Sequence, residues 1–330
     1  MHQAPVSRRA LLSLGLGSAV VAPLGLGACA VPAPATPNAA QQVAPGVYVL
    51  RGMSGEIDPS NLGRTANLGF IVGPQGVLAI NSGVSRRHGE AMLAAIRRVT
   101  PLPIRQLVLT HVRQEFLFGA AAFEEAGTPS TMHPAAARLM AARCENCLKT
   151  LKRVLGPEEM QGTRVVKPER LVDPTTKPFD AGIGRPVRLL AWGPGGHSSG
   201  PGDLAVLDET TGTLFAGGLV DADTIPDVQD ANFDGWRAGL AGLQSLAPHR
   251  IVPGHGPVVG NEQVARIARY LDQLERRTAQ LLDTGTALSD VADATQLSEF
   301  AGWDQYDTVH RRNASVVFLR HERALMLRQP

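Results

Sequence analysis

The sequence predicts an α+β protein built as a four-layer αββα sandwich, two stacked sheets with helices outside them. Two observations carry this. Strand-like segments fall into two clusters, residues 46–132 and 187–252, each followed by helical segments. Three loops at the ends of apolar strands also carry a histidine: His111, His197 and His255. Loops held on a rigid scaffold are where chemistry is usually placed. The chain has 330 residues, 44% of them apolar, enough for the core of one large domain. A net charge of +2 leaves no electrostatic footprint for nucleic acid. The 35 glycines and 24 prolines set many turns between short elements and exclude a long coiled coil. No internal repeat shows at a period of roughly 20–50 residues.

The first segment reads as an address rather than as structure. Ser7-Arg8-Arg9-Ala10-Leu11-Leu12 is a twin-arginine pattern, followed by an apolar run from Ala10 to Ala28 broken by glycines and Pro23. A membrane anchor is the competing reading; the glycines and the small residues at the end of the run favour export to the periplasm. Leu26-Gly27-Ala28-Cys29 resembles a lipobox, which makes Cys29 a candidate lipidation site and membrane tie. Ala28-Cys29-Ala30 equally fits ordinary cleavage. The expected organisation is therefore an export signal at 1–30, a flexible Ala/Pro tether at 31–42 and a folded domain at 43–330. Twin-arginine passengers usually fold before export, often with a cofactor loaded.

The elements follow in order. Residues 46–52 read as a strand, and 66–73 with 76–82 as a hairpin about Pro74-Gln75. Residues 85–99 form an amphipathic helix with Met92, Leu93, Ile96 and Val99 apolar. Residues 106–110 are a short buried strand, 118–126 a helix and 128–132 a strand. A long helix runs from Pro134, at its first turn, to Leu155. In the second cluster, 187–192, 203–208 and 213–216 are strands, with a turn at Thr211-Gly212. A helix at 233–246 leads to a very short strand at 250–252, and from Glu262 onward the chain is helical.

Cys144 and Cys147 share the long helix with Leu148, Leu151 and Leu155. Buried small hydrophobes, a local disulfide and a redox-active pair are the three readings. Two cysteines alone cannot close a zinc site. Gly193 to Gly202 is glycine-rich but lacks a P-loop lysine, and Ser198 and Ser199 have no nucleophile elbow.

Thr110-His111, Gly196-His197-Ser198-Ser199-Gly200, Phe215-Ala216-Gly217-Gly218 and Pro253-Gly254-His255-Gly256 come in an order that resembles the metallo-β-lactamase superfamily. The resemblance spans about Val43 to Val259. Arg143-Cys144-x-x-Cys147, Ile225-Pro226 and His310-Arg311-Arg312-Asn313 are similar to the SoxH-like and quinoprotein relay system metallohydrolase subgroup. It implies the αββα fold, a two-zinc hydrolase site and a setting in periplasmic sulfur or quinoprotein oxidation.

The family's first loop is T-H-x-H-x-D-H. Here His111 stands, but Arg113, Glu115 and Phe116 replace the other three donors. Gly218 stands where the family has its bridging aspartate, and Asn81-Ser82-Gly83 where it has D-T-G. Arginine stays protonated. At about 5 Å from Zn²⁺ and an effective dielectric near 20 it repels the metal by roughly 6–7 kcal/mol. Two zincs are excluded on these grounds, leaving one zinc or none. One zinc would take His111, His197 and His255, with Glu115 as ligand or base and Arg113 holding a substrate anion; Asp221 or Asp223 is a weaker substitute carboxylate. Without metal, Arg113 would pair with Glu115 or hold an anionic ligand. The protein is then either a hydrolase with an altered site or a metal-free relative that binds a small ligand or a periplasmic protein partner in the old cleft.

Overall fold

The computed structural model describes residues 39–175 and 179–327. The twin-arginine pattern, Cys29 and most of the expected tether lie outside the described residues. The first sheet has seven strands in sequence order: β1 (Gln41–Ala44), β2 (Val47–Leu50), β3 (Leu68–Gly73), β4 (Gly76–Ile80), β5 (Ile104–Val108), β6 (Ser130–Met132) and β7 (Arg170–Leu171). β1 to β4 form an antiparallel meander; β4 to β7 run parallel. Helices supply the crossovers: α1 (Arg86–Val99), α2 (Gln114–Leu117), α3 (Ala120–Glu125) and α4 (Pro134–Glu159). The second sheet is ordered β11-β10-β9-β8 and contains β8 (Val187–Leu190), β9 (Ala205–Asp208), β10 (Thr213–Phe215) and β11 (Arg250–Val252). α5 (Phe233–Leu246) crosses from β10 to β11. The chain closes with α6 (Glu262–Asp283), α7 (Leu288–Ala294), a π turn (Tyr306–His310) and α8 (Arg311–Met326).

Side-chain alternation turns these elements into layers. On β4, Val77 and Ala79 pack with Met92 and Ile96 of α1 and Leu151 of α4, while Leu78 and Ile80 join Val206 and Phe215 of the other sheet. A strand packed on both faces reads as one continuous apolar run, as Val77-Leu78-Ala79-Ile80 does. The outer face of the second sheet, with Leu207 and Leu214, packs on Trp236 of α5 and on Tyr270 and Leu271 of α6. Three cores therefore separate four layers.

Local chemistry sets the element ends. Ser85 caps α1, its hydroxyl accepting from His88 N at 3.0 Å, and Asn232 caps α5. α4 runs past its expected end at Leu155. Gly156, at φ 80°, with Pro157 after it breaks the helix, and a last turn resumes to Glu159. The helix expected at 118–126 is α3, and a short extra helix, α2, precedes it in the stretch expected as loop. β1 and β7, too short to show alternation, were not anticipated. Gln41 and Gln42 pair with Val49 and Tyr48, so the sheet begins inside the stretch expected as tether. Among the described residues, no helix is long and apolar enough to cross a membrane.

The loops after β4, β5, β10 and β11 meet at one edge. Ser82 N donates to Phe116 O at 2.7 Å, Leu204 N to Thr110 O at 2.9 Å and Gly254 N to Val220 O at 2.9 Å. Their convergence positions the site.

Candidate active-site cleft

Asn81 starts the site. It sits at φ 58°, a left-handed conformation that asparagine tolerates better than most residues. Its Oδ1 accepts from Thr110 N at 3.0 Å and from the Thr110 hydroxyl at 2.8 Å. That clamp fixes the turn after β5 and aims the next residue, His111, into the interior.

Both ring nitrogens of His111 are engaged. Nδ1 donates to Asp203 Oδ1, and Nε2 accepts from Arg113 Nε at 3.1 Å. These two bonds fix the tautomer with the proton on Nδ1. Asp203, at the foot of the glycine-rich loop, also accepts from Ser198 Oγ at 3.0 Å, from Gly200 N at 2.8 Å and from Ser199 Oγ. Burial works against its charge, but His111, Ser199 and the Gly200 amide hold its carboxyl below the usual range.

His255 is clamped between two carboxylates. Nδ1 lies 2.9 Å from Asp221 Oδ1 and Nε2 lies 3.3 Å from Glu115 Oε1. Its backbone N–H also donates to Asp221 Oδ1 at 2.9 Å. Burial depresses the imidazole's pKa, but Asp221 and Glu115 outweigh it and raise the pKa to about 9. His255 is thus an imidazolium at neutral pH, donating from both nitrogens. Burial likewise opposes charge on Glu115, and His255 with Arg113 lowers its pKa to about 2.

Arg113 joins the two halves. Besides His111 it donates from Nη2 to the Asp227 carbonyl at 3.0 Å. Burial disfavours its charge, but Asp227, Asp221, Glu115 and Asp203 surround it and hold it firmly protonated. Phe116, fully buried, places its ring centroid 6.1 Å from the His111 ring and 5.4 Å from the His255 ring. Gly218 cannot supply a carboxylate: a Cβ there would stand 2.7 Å from both His111 Nδ1 and Ser199 Oγ.

The expected single-zinc set of His111, His197, His255 and Glu115 is not assembled. Zinc needs imidazoles with a bare ring nitrogen. On His111 that nitrogen carries the Arg113 guanidinium, and on His255 both nitrogens bear protons. His197 turns aside, its Nε2 donating to the Asp230 carbonyl at 2.7 Å. Of the weaker candidates, Asp223 pairs with Arg266 at 3.2 Å and Asp221 serves His255. Among the described residues no three His, Cys, Asp or Glu side chains are placed to hold a metal ion. The donor set does not fit zinc. Sequence reasoning missed Asp203 and Asp227. The signal for Asp203 was a lone carboxylate heading a buried apolar run, Leu204-Ala205-Val206-Leu207.

The site opens into a cleft of about 450 Å³. His111, Arg113, Glu115 and His255 form one wall; Cys144 and Cys147 of α4 line it as well, as does Arg312 of α8. Both cysteines are free thiols, so the local disulfide is not formed.

No protein-family model matches the chain, and no curated protein sequence matches it. Solved structures do match it in fold. A metallo-β-lactamase from Pontibacter korlensis aligns over 71% of this chain and 98% of its own at 18% identity, with a TM-score of 0.56. The metallo-β-lactamase FIM-1 from Pseudomonas aeruginosa, in a mono-zinc form, aligns over 71% of this chain and 94% of its own at 17% identity, TM-score 0.55. A double mutant of the sec-alkyl sulfatase PisA1 aligns over 86% of this chain but 50% of its own length, at 17% identity and a TM-score of 0.62. The chain has the metallo-β-lactamase fold.

Proposed function

We propose that this chain is a metal-independent relative of the metallo-β-lactamases, hydrolase-like in scaffold, that binds a small molecule in the cleft. One observation carries the reading: Arg113 Nε donates to His111 Nε2, the ring nitrogen a zinc ion would need. A protein-borne cation stands where the metal charge would be, balancing the carboxylates around it. The rest of the network agrees, because His255 is held as a cation between Glu115 and Asp221.

The ligand's charge follows from the walls. The lining carboxylates of Glu56, Glu115, Asp227 and Asp230 are matched by Arg113, Arg143, Arg312 and the His255 imidazolium. Arg143 is already paired with Asp230 at 2.6 Å, and Arg312 with Asp227 at 3.3 Å. An anion held by Arg113 alone would have to displace these internal partners. The proposed ligand is therefore near-neutral overall, with polar groups at the Arg113 wall and apolar surface toward Leu139 and Ile225. The twin-arginine pattern supports a periplasmic setting, with Cys29 as a lipid tie. The subgroup resemblance supports a role beside sulfur or quinoprotein oxidation, with a small molecule or a periplasmic protein as partner.

The test is metal analysis of the full chain produced with zinc in excess. Expected is far less than one metal per chain, and a thermal midpoint unmoved by chelator, since only a ligand that binds the folded state raises it. One metal per chain that is lost on His111→Ala, with a midpoint that falls in chelator, sinks the reading.

A further inference from the structure

The helix α4 brings Cys144 and Cys147 to the cleft that Arg113 also lines. Three residues apart, the two side chains are neighbours on one face of the helix. Cys144 is 2% exposed, whereas Cys147 is only half-buried. The two thiols share a hydrogen bond. That bond to Cys147, together with burial, keeps Cys144 protonated. For Cys147, the bond from Cys144 outweighs burial and, with the Arg143 charge, brings the thiol down to about 7. An accessible thiol of low pKa beside a buried, protonated one is the division of labour of an attacking and a resolving cysteine.

We propose that Cys144 and Cys147 form a dithiol–disulfide exchange site of the cleft, acting on a small organic disulfide. Cys147, as thiolate, attacks one sulfur of the substrate. An S–S bond forms on Cys147 as the substrate's own S–S bond breaks, and the first thiolate leaves and takes up a proton. Cys144 then gives up its proton and attacks the Cys147 sulfur, and the second thiolate leaves and is protonated. Two cysteine thiols are oxidised to one disulfide and one substrate disulfide is reduced to two thiols, with no other reactant.

Placement on a helix favours exchange over a permanent crosslink. Side chains three residues apart on a helix keep their Cβ atoms about 5–6 Å apart. A relaxed disulfide needs about 3.5–4.5 Å. Closure must draw in one turn of α4, and a strained disulfide is easily reduced again. The cleft limits the partner: at about 450 Å³ it admits a small molecule. The inference rests on the cleft being the ligand site, but not on the absence of metal.

The experiment uses the full chain with Cys29→Ser, so that only this pair reacts, and 5,5′-dithiobis(2-nitrobenzoate) as the disulfide. Expected are two coloured thiolates released per chain and a product lighter by two hydrogens with no adduct. Cys144→Ser should release one thiolate and keep a mixed disulfide on Cys147. Cys147→Ser should react about tenfold more slowly or less. Peptide mapping of early time points, without either cysteine substitution, guards against misfolded variants and should place the first adduct on Cys147. Two stable adducts, a first adduct on Cys144, equal rates in the two variants or no reaction at all would each overturn the proposal. Thiolate release does not read metal content, so this result and the metal analysis fail separately.

Discussion

Arg113 donates to one ring and one carbonyl while four carboxylates surround it. Removing it strands those charges in a partly buried setting. Arg113→Ala is expected to cost about 2–4 kcal/mol, read as a lower urea midpoint with an unchanged slope. A neutral result would mean that the carboxylates are solvated without it.

The Glu115–His255 pair predicts a pH profile. The pKa of His255 is raised from 6.5 to about 9, so its contribution is full below about 6.5 and fades as pH rises through 9. The pKa of Glu115 is lowered from 4.5 to about 2, so its contribution is full above about 4.5 and fades as pH falls through 2. Stability from this pair should plateau between those limits and fall by about 1–3 kcal/mol on either side. Glu115→Gln with His255→Asn should flatten both arms; equal pH dependence in that variant and the parent would refute the assignment.

The loop Thr110-His111-Val112-Arg113-Gln114-Glu115-Phe116 announced these residues in the sequence, because missing donors and a fixed charge are visible as letters. What the cation touches was not visible. Asp203 and Asp227 are lone carboxylates in loops, without spacing to mark them. The direction of His197 was hidden for a different reason. Gly193, Gly195 and Gly196 before it adopt φ of 80°, 60° and 72°, and a chain free to take such angles does not reveal where the next side chain points.

At the scale of elements, the two sheets approach closely where Gly69 of β3 meets Phe215 of β10. A Cβ at Gly69 would stand 2.1 Å from Phe215 Cε1. The glycine leaves a slot that the phenylalanine ring fills, locking one sheet against the other. Gly69→Val should force the sheets apart and cost about 1–3 kcal/mol, with partial recovery when combined with Phe215→Leu. A double variant no more stable than Gly69→Val would show that the ring is not the obstacle. The amphipathic helices α1 and α5 were legible, α5 with the bounds expected of it and α1 within one residue, and so was the three-residue β11. β1, β7 and α2, each of four residues or fewer, were not read from the sequence.

At the scale of the molecule, the layer order was readable because β4 is apolar on both faces while the outer helices are amphipathic. That pattern allows only sheets packed on one side by each other and on the other by helices. The division into three cores follows from it. The arrangement of the histidines and carboxylates in the cleft did not follow, because it depends on where a few polar atoms land at the convergence of distant loops.

The guanidinium that sits against His111 has one more consequence on the proposed reading. It is delivered by the ribosome with the rest of the polypeptide, whereas an ion must be found, won from competitors and kept. Folding of this molecule would then be indifferent to trace-element supply, and starvation for zinc would leave its abundance untouched.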